Sequence, residues 1–333
     1  MTDSFPYSCL SKKQLIGQIN LLASLHTPFL ILIDYKAEHG YVIRMDELDP
    51  DYVQFEFKDI QTVPGEQKDK NGSFLWEIHP PDLTEYQPKF DYVQNQIHLG
   101  NSFLVNLTQP TDVQTNLSLH EIYSKSQARY KLWIKDSMLV LSPETFVRIE
   151  GQTISSFPMK GTIDAAIPDA GKIILNDPKE MAEHATIVDL IRNDLSLVAE
   201  KVEVKRYRYI EKIKTNKQDL LQVSSEITGL LPDDYRDRLG DILFDLLPAG
   251  SICGAPKAKT LDIIQDAEGY DRGYYTGICG YFDGNNLNSG VMIRYVEQEG
   301  AKLTFKSGGG ITSQSELIKE YEELIQKVYV PIY

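Results

Sequence analysis

Apolar runs of strand length and stretches of helical periodicity follow one another along this 333-residue chain without strict alternation. That irregular order is the strongest constraint on the fold, because a doubly wound parallel sheet needs strand and helix to alternate. Residues 29–34 form an apolar run of strand length, and Val53-Gln54-Phe55-Glu56-Phe57 alternates with period two. Residues 102–108, 132–141, 145–149 and 302–306 read as further strands, and 277–283 with 287–297 as a hairpin across Gly284-Asn285-Asn286. Helices are expected at 86–100, from Asp177 past His184, and at 235–247, 258–267 and 315–328. The polar stretch 65–72 reads as a loop. The order predicts an α+β layered domain with largely antiparallel sheets rather than a Rossmann fold. No fixed-period repeat and no linker divides the chain, so 1–333 is expected to be a single domain.

With 42% hydrophobic residues the chain can bury a large core, while its formal net charge of −14 bears on partners. An acidic surface repels phosphate backbones and anionic lipid, so neither nucleic acid nor a membrane is an expected partner. An acidic substrate would need local cations to collect it. Cys9, Cys253 and Cys279 are odd in number and far apart, which fits neither a disulfide framework nor a zinc site. Residues 1–10 lack a basic start followed by an apolar run, and no segment reaches the ~18 apolar residues of a membrane span. A cytoplasmic protein is the expectation.

Asp177-Pro178-Lys179-Glu180 reads as a helix start, with Asp177 as cap, Pro178 in the first turn and Glu180 completing a capping box. Glu180, Glu183 and His184 then share a helix face, as do Glu320, Glu323 and Lys327 in the last helix. The latter flank an apolar stripe of Leu317, Ile318, Tyr321, Leu324, Ile325 and Val328. Carboxylates at a core margin that meet others from a second helix call for a hard divalent cation such as magnesium. A capping residue and solvated charges give the same spacing. Ser307-Gly308-Gly309-Gly310-Ile311-Thr312 could converge backbone amides on an anion, or form a tight strand-to-helix turn. The glycine-rich stretch 248–257 could present amides, the Ser251 hydroxyl and Lys257 to a carboxylate, or be a connecting loop with a surface lysine. Arg294, in the apolar run Val291-Met292-Ile293-Arg294, is expected to have a carboxylate partner, a structural Asp or Glu as readily as one on a substrate.

In this order, Ser142-Pro143-Glu144-Thr145-Phe146, Pro158-Met159-Lys160-Gly161-Thr162, Asp177 through His184, Asp189 through Leu195, 248–257, Arg272 through Tyr281, Val291 through Arg294 and 308–327 resemble the chorismate-binding enzymes. That family comprises component I of anthranilate synthase and of aminodeoxychorismate synthase, with the isochorismate and salicylate synthases. The resemblance covers roughly residues 85–330, and residues 1–80 are shorter than the family's usual N-terminal part. It implies a four-layer α/β/β/α sandwich with two facing, largely antiparallel sheets, and chorismate bound in a deep cleft with Mg2+. By match to the motifs, Glu183 and Glu323 would be direct metal ligands, and Glu180 and Glu320 would bind through water. Arg294 and Tyr275 would hold the pyruvyl carboxylate region. Thr162, Ser251, Lys327 and the amides of Gly308, Gly309 and Gly310 would complete the substrate-binding set. Glu144 matches the general acid that makes the C4 hydroxyl a leaving group, a role that needs a carboxyl whose pKa is raised by burial.

Lys160 separates the branches. Anthranilate synthases carry Ala at this position and aminodeoxychorismate synthases carry Lys. The implied mechanism has neutral Lys160 attack C2 as C4–O breaks, after which ammonia adds at C4 and expels the lysine. That requires a lysine whose pKa is depressed from ~10.4. The isochorismate and salicylate synthases place a water-activating Lys where this chain has Leu104. Gln222 stands where family members usually carry His, ahead of Val223-Ser224, and Gln cannot exchange protons near neutral pH. No glutaminase nucleophile motif is visible, so ammonia is expected from a separate glutamine amidotransferase subunit, in the para-aminobenzoate branch of folate biosynthesis. Anthranilate synthase component I, or a catalytically idle chorismate-binding subunit suggested by Gln222 and the short N-terminal part, are the alternatives.

Overall fold

The computed structural model describes residues 5–57, 60–62, 74–213 and 219–332, and the loop expected at 65–72 lies outside them. Two sheets, antiparallel at every described pairing, carry the fold. The first runs in the order Leu10–Ser11, His39–Arg44, Phe29–Ile33, Ile278–Phe282, Leu287–Val291, Thr145–Glu150, Thr153–Ser156, Leu220–Leu230, Met159–Asp164. Glu200–Ile213 also pairs with Leu220–Leu230. The second runs Gly254–Ala255, Leu104–Thr115, Lys302–Ile311, Tyr295–Glu299, Met138–Ser142, Tyr130–Ile134, Val53–Phe57, Ile60–Gln61, and Trp76–His79 joins it on Leu104–Thr115.

Side chains alternate across each strand, and that alternation sets the layers. All five residues of Phe29–Ile33 are buried because both faces are covered. Phe29, Ile31 and Ile33 pack with Leu15 and Ile19 of the helix Lys12–Ser24. Leu30 and Leu32 join Phe55, Leu132 and Val140 of the second sheet. On that sheet's outer side Trp133, Leu139 and Leu141 meet Leu119 and Ile122 of the helix Leu119–Lys125. The order helix, sheet, sheet, helix is the expected α+β sandwich. Each fully buried Leu, Ile or Phe contributes about 1.5–3 kcal/mol, so the inter-sheet layer is a main source of stability. No described helix is long and apolar enough to cross a membrane, and all three cysteines are free.

Several elements depart from the sequence reading. The run 132–141 is a hairpin, Tyr130–Ile134 with Met138–Ser142, turning at Lys135-Asp136-Ser137 with Asp136 at φ 51°. Both arms are wholly buried, so no alternation marked the turn. The expected long helix at 235–247 is a short 3-10 turn followed by Leu239–Leu246. The run 287–297 is two strands in different sheets, Leu287–Val291 and Tyr295–Glu299, with the chain crossing at Met292-Ile293-Arg294. The strand begun at Lys302 continues to Ile311, so Gly308, Gly309 and Gly310 lie opposite Thr108, Leu107 and Asn106 and form no strand-to-helix turn.

Candidate active site

Four elements bring the charged residues together. The strand Met159–Asp164 carries Lys160, and the helix Pro178–Leu195 carries Glu180 and Glu183. The strand Lys302–Ile311 carries the three glycines, and the helix Leu317–Gln326 carries Glu320 and Glu323, with Lys327 at its C-cap. The first of these helices starts where expected: Asp177 accepts the Glu180 N–H at 2.9 Å and Pro178 fills the first turn. The capping box is not completed. The Glu180 carboxylate is spent on the site instead, where a Cβ at Gly161 would stand 2.9 Å from its Oε2. Gly161 has φ 83°, and the pairing register with Leu220–Leu230 shifts between Met159 and Thr162. This bulge re-aims Lys160 out of the regular alternation.

Lys160 Nζ donates to Glu183 Oε2 at 3.0 Å. Lys179 Nζ lies 3.9 Å from Glu183 Oε1, a helical pair whose i,i+4 spacing is visible in the sequence. Lys327 Nζ sits 2.7 Å from Glu323 Oε1 and donates to the Gly308 carbonyl at 2.9 Å. The glycines explain how these groups approach one strand from both faces. A Cβ at Gly310 would meet Lys160 Nζ at 3.4 Å and Leu104 Cδ1 at 2.9 Å. One at Gly309 would meet Glu320 Oε2 at 3.5 Å, and Glu323 Oε1 and Lys327 Nζ at 3.7 Å each. Bare backbone at these two positions thus leaves room for both sets of charges beside the strand. Leu104, an apolar residue, occupies the same corner as Lys160.

Burial disfavours the Lys160 ammonium, but Glu183, with Glu323 and Glu180 behind it, reverses this and holds its pKa above the ordinary lysine value. In this arrangement Lys160 is charged, the opposite of what nucleophilic attack needs. Burial raises Glu180, and the charge of Glu183 raises it further. Burial also raises Glu320, a Ser315 hydrogen bond opposes it, and Glu323 adds to it. Burial pushes Glu323 up as well, but Lys327, then Lys160 and Lys179, bring it below the usual carboxylate value. Among the described residues no three His, Cys, Asp or Glu side chains form a ready-made metal cage. Lysine ammoniums hold the carboxylates here. The donor set nevertheless fits a hard divalent cation: all oxygen, from two facing helices, with two members costly to ionise as they stand. Glu320 is 6% exposed and so is no solvated charge, whereas Glu323 and Lys327 on the same face are 53% and 44% exposed.

Glu144 forms the second part of the site. The Ser251 hydroxyl donates to Glu144 Oε1. Burial raises the Glu144 carboxyl, while Ser251, Lys160 and Lys327 pull it down; burial prevails. A small pocket opens beside it, walled by Phe146, Val147, Ile191, Leu195 and Leu246. Lys160 and the four glutamates do not line that cavity. Tyr275 is buried close enough to feel the charges of Arg272 and Glu144, and burial holds its phenol protonated. Thr276 and Arg294, at φ 64° and 50°, carry the left-handed backbone around it. Such non-glycine conformations cost on the order of 1 kcal/mol and tend to persist near functional sites.

Other expected members are placed differently. Arg294 lies over the Tyr329 ring at 4.3 Å and pairs with no carboxylate among the described residues. The carboxylate-paired arginine of this region is Arg272, bound to Glu268 at 2.8 and 2.6 Å. Thr162 is exposed, beyond the bulge and opposite Gln222 in the ladder. His184 turns away from the carboxylates into the core. It meets Ser225 Oγ at 2.7 Å, and burial pushes its pKa down to about 4. Lys257 is no surface lysine: its Nζ reaches Asp194 at 2.9 Å. In the sequence Asp194 is marked only by its motif, because its partner is 63 positions away.

Cationic and carboxylate groups facing a glycine strand, with a buried acid beside them, define a site that can collect a small oxygen-rich anion. The chain belongs to the chorismate-binding enzymes, whose family model, described as chorismate binding enzyme, matches residues 27–332. An uncharacterised PabA-like protein of Pasteurella multocida is 48% identical over 97% of this chain and 100% of its own length. Aminodeoxychorismate synthase component 1 of Klebsiella aerogenes is 31% identical over 73% of this chain and 56% of its own length. Anthranilate synthase component 1 of Archaeoglobus fulgidus is 32% identical over 71% and 58%. Among solved structures, a 2,3-dihydroxybenzoate-specific isochorismate synthase of Bacillus anthracis superposes with TM-score 0.74 at 18% identity, over 96% of this chain and 89% of that one. That likeness carries the fold.

Proposed function

We propose that the protein aminates chorismate to 4-amino-4-deoxychorismate, with ammonia delivered by a glutamine amidotransferase subunit in the cytoplasm. The observation that carries this reading is Lys160, re-aimed by the Gly161 bulge so that its Nζ stands 3.0 Å from Glu183 and against the bare backbone of Gly310. Leu104, packed at the same corner, offers no base for water attack.

The Lys160 lone pair forms a bond to C2, the two conjugated ring double bonds each shift one position toward C4, and C4–O breaks. Glu144 protonates the departing oxygen, which leaves as water. Ammonia then bonds to C4, the two double bonds shift back, and C2–N breaks to return the lysine. The surplus proton on the new amine goes back to Glu144. Burial keeps Glu144 able to carry that proton.

Glu183 and Glu323 would hold Mg2+, with Glu180 and Glu320 behind them through water. Bound there, the ion would neutralise a substrate carboxylate. With Glu183 and Glu323 engaged in this way, Lys160 loses the anions that keep it protonated, and its burial favours the neutral amine. Lys327 and the Gly308, Gly309 and Gly310 segment would take the remaining carboxylate oxygens.

The test is to supply chorismate, Mg2+ and ammonia and identify the product by chromatography. The expected product is 4-amino-4-deoxychorismate. Anthranilate or isochorismate as the sole product contradicts the reading, and absence of turnover favours a catalytically idle chorismate-binding subunit.

A further inference from the structure

Glu144 depends on a donor that sits in a poorly reinforced place. Ser251 lies in the one-turn helix Gly250–Ile252, inside the connection between the helices Leu239–Leu246 and Lys257–Glu268. A turn this short does not hold itself rigid, because it closes few hydrogen bonds of its own. Its position must come from its neighbours.

Two sets of contacts supply it. On one side the Ile252 carbonyl accepts from Asn106 Nδ2 at 2.9 Å and Arg272 Nη1 at 3.1 Å. On the other, Lys257 Nζ donates to Asp194 Oδ2 at 2.9 Å and to the Leu246 carbonyl at 3.2 Å. Lys257 therefore ties together both ends of the segment 246–257. Asp194 presses on Gly250, where a Cβ would lie 2.9 Å from Asp194 Oδ2. Gly250 directly precedes Ser251. Asp194 also belongs to the helix that carries Glu180 and Glu183. It stands eleven residues beyond Glu183, about 16 Å along the helix axis at 1.5 Å per residue, too far to reach the same ligand. The pair is largely shielded, with side-chain exposures of 21% for Lys257 and 14% for Asp194.

We infer that the Asp194–Lys257 ion pair is a positioning element that fixes the Ser251 turn against the carboxylate-bearing helix, and so sets the hydrogen bond from Ser251 to Glu144. Neither residue touches the reacting atoms. The inference rests on the reading of Glu144 as the acid for its importance, but not for its test. Ser251 holds the Glu144 carboxyl down, so a misplaced turn lets it rise. The other charged or titratable groups acting on this carboxyl are Lys160 and Lys327, with Tyr275 close by, and the variants leave all three in place.

The experiment is a carbon-13 NMR titration of the Glu144 carboxyl, assigned with Glu144→Gln, in the wild-type protein and in Ser251→Ala, Asp194→Asn, Lys257→Met and Lys257→Arg. Thermal melts are run alongside. Asp194→Asn and Lys257→Met should raise the Glu144 midpoint by about half a pH unit or more, in the same direction as Ser251→Ala. Lys257→Arg, which keeps the charge and the donors, should leave it near wild type even if Asp194→Asn folds poorly. A wild-type Glu144 midpoint in folded Asp194→Asn and Lys257→Met, with Ser251→Ala shifted, overturns the inference and leaves a merely structural pair. Chorismate turnover is read separately. Its absence in the wild type counts against the proposed function, whereas the titration still decides the role of the pair.

Discussion

Two clusters of opposite charges lie within this protein, and they are built differently. Arg272 and Glu268 are almost sealed from solvent, with side-chain exposures of 1% and 2%. Their hydrogen bonds are saturated from all sides. Arg272 reaches both Glu268 oxygens, the carbonyls of Ile252 and Asn106, and Thr276. Glu268 also accepts from the Thr108 N–H and hydroxyl. The cluster around Lys160 is open. Its carboxylates are held by lysines that reach in from their flexible ends, and Lys327 and Glu323 are 44% and 53% exposed. Two of its glutamates, Glu180 and Glu320, are reluctant to ionise. A closed cluster is tolerated in the core because both charges are paired and hydrogen-bonded, and losing one partner would leave the other buried and uncompensated. An open one leaves capacity for a ligand. Charge pairing alone does not distinguish structure from function; the completeness of the pairing does.

The largest effect expected in the open cluster is on chemistry. Lys160→Ala should lower aminodeoxychorismate formation by at least about a thousandfold, since the covalent route loses its nucleophile. Chorismate affinity, measured by calorimetry, should stay within about threefold, and folding stability should fall by less than in the closed cluster, since Lys160 and Glu183 keep side-chain exposures of 26% and 13% against 1% and 2% there. In the closed cluster the contrast reverses. Arg272→Met leaves Glu268 buried and unpaired, and should cost about 3–5 kcal/mol in urea unfolding. A Lys160→Ala protein that unfolds more readily than Arg272→Met would break the comparison.

A smaller effect concerns the divalent ion. Mg2+ should raise the melting temperature of the wild-type protein in a concentration-dependent manner, as any ligand of the folded state does. Glu323→Gln should abolish that rise while changing the metal-free melt little. A Glu268→Gln variant, if folded, should keep the rise, because its carboxylate is already saturated.

The smallest effect is in the pH dependence of stability without metal. Glu180 and Glu320 have folded pKa values above their unfolded ones. The native state therefore binds more protons than the unfolded state between the two values. Stability from these residues is gained as pH falls from neutral through the raised folded values and is complete near the ordinary carboxylate value of ~4.3. It is lost again as pH rises. Urea midpoints measured with a chelator should show this slope, and Glu180→Gln with Glu320→Gln should flatten it. A slope unchanged in the double variant would show that these two carboxyls do not carry it.

The same contrast governs what could be read from the chain alone. An α+β domain with antiparallel sheets was legible because strand and helix periods are local properties, whereas the four-layer order came with the family resemblance. The helix start at Asp177 was legible because its cap is local too. The residues of the open cluster were legible as i,i+3 acid pairs and a glycine run. The state of the cluster was not. Whether Lys160 is charged depends on Glu183, Glu323 and Glu180, which reach it from two other elements. The glycine run looked like a turn because glycine marks turns in sequence. Here Gly309 and Gly310 serve a close approach on both faces of a strand, a tertiary demand with no local signature. Of the two carboxylates that Arg294 could have met, a protein side chain is not there among the described residues, and the buried pair of this region is Arg272 with Glu268, four residues apart. Asp194 and Lys257 are separated by 63 positions, so nothing local joined them.

The central claim is that Lys160 attacks the ring carbon, and a trapping measurement tests it most directly. The protein is mixed with chorismate and Mg2+ without ammonia, quenched in acid, and examined by intact-mass and peptide mass spectrometry. The account predicts an adduct with the mass of chorismate less one water, confined to the peptide containing Lys160, absent in Lys160→Ala, and discharged when ammonia is added before the quench. Normal product formation with no adduct at any time point, or an adduct on another residue that Lys160→Ala leaves intact, would contradict it.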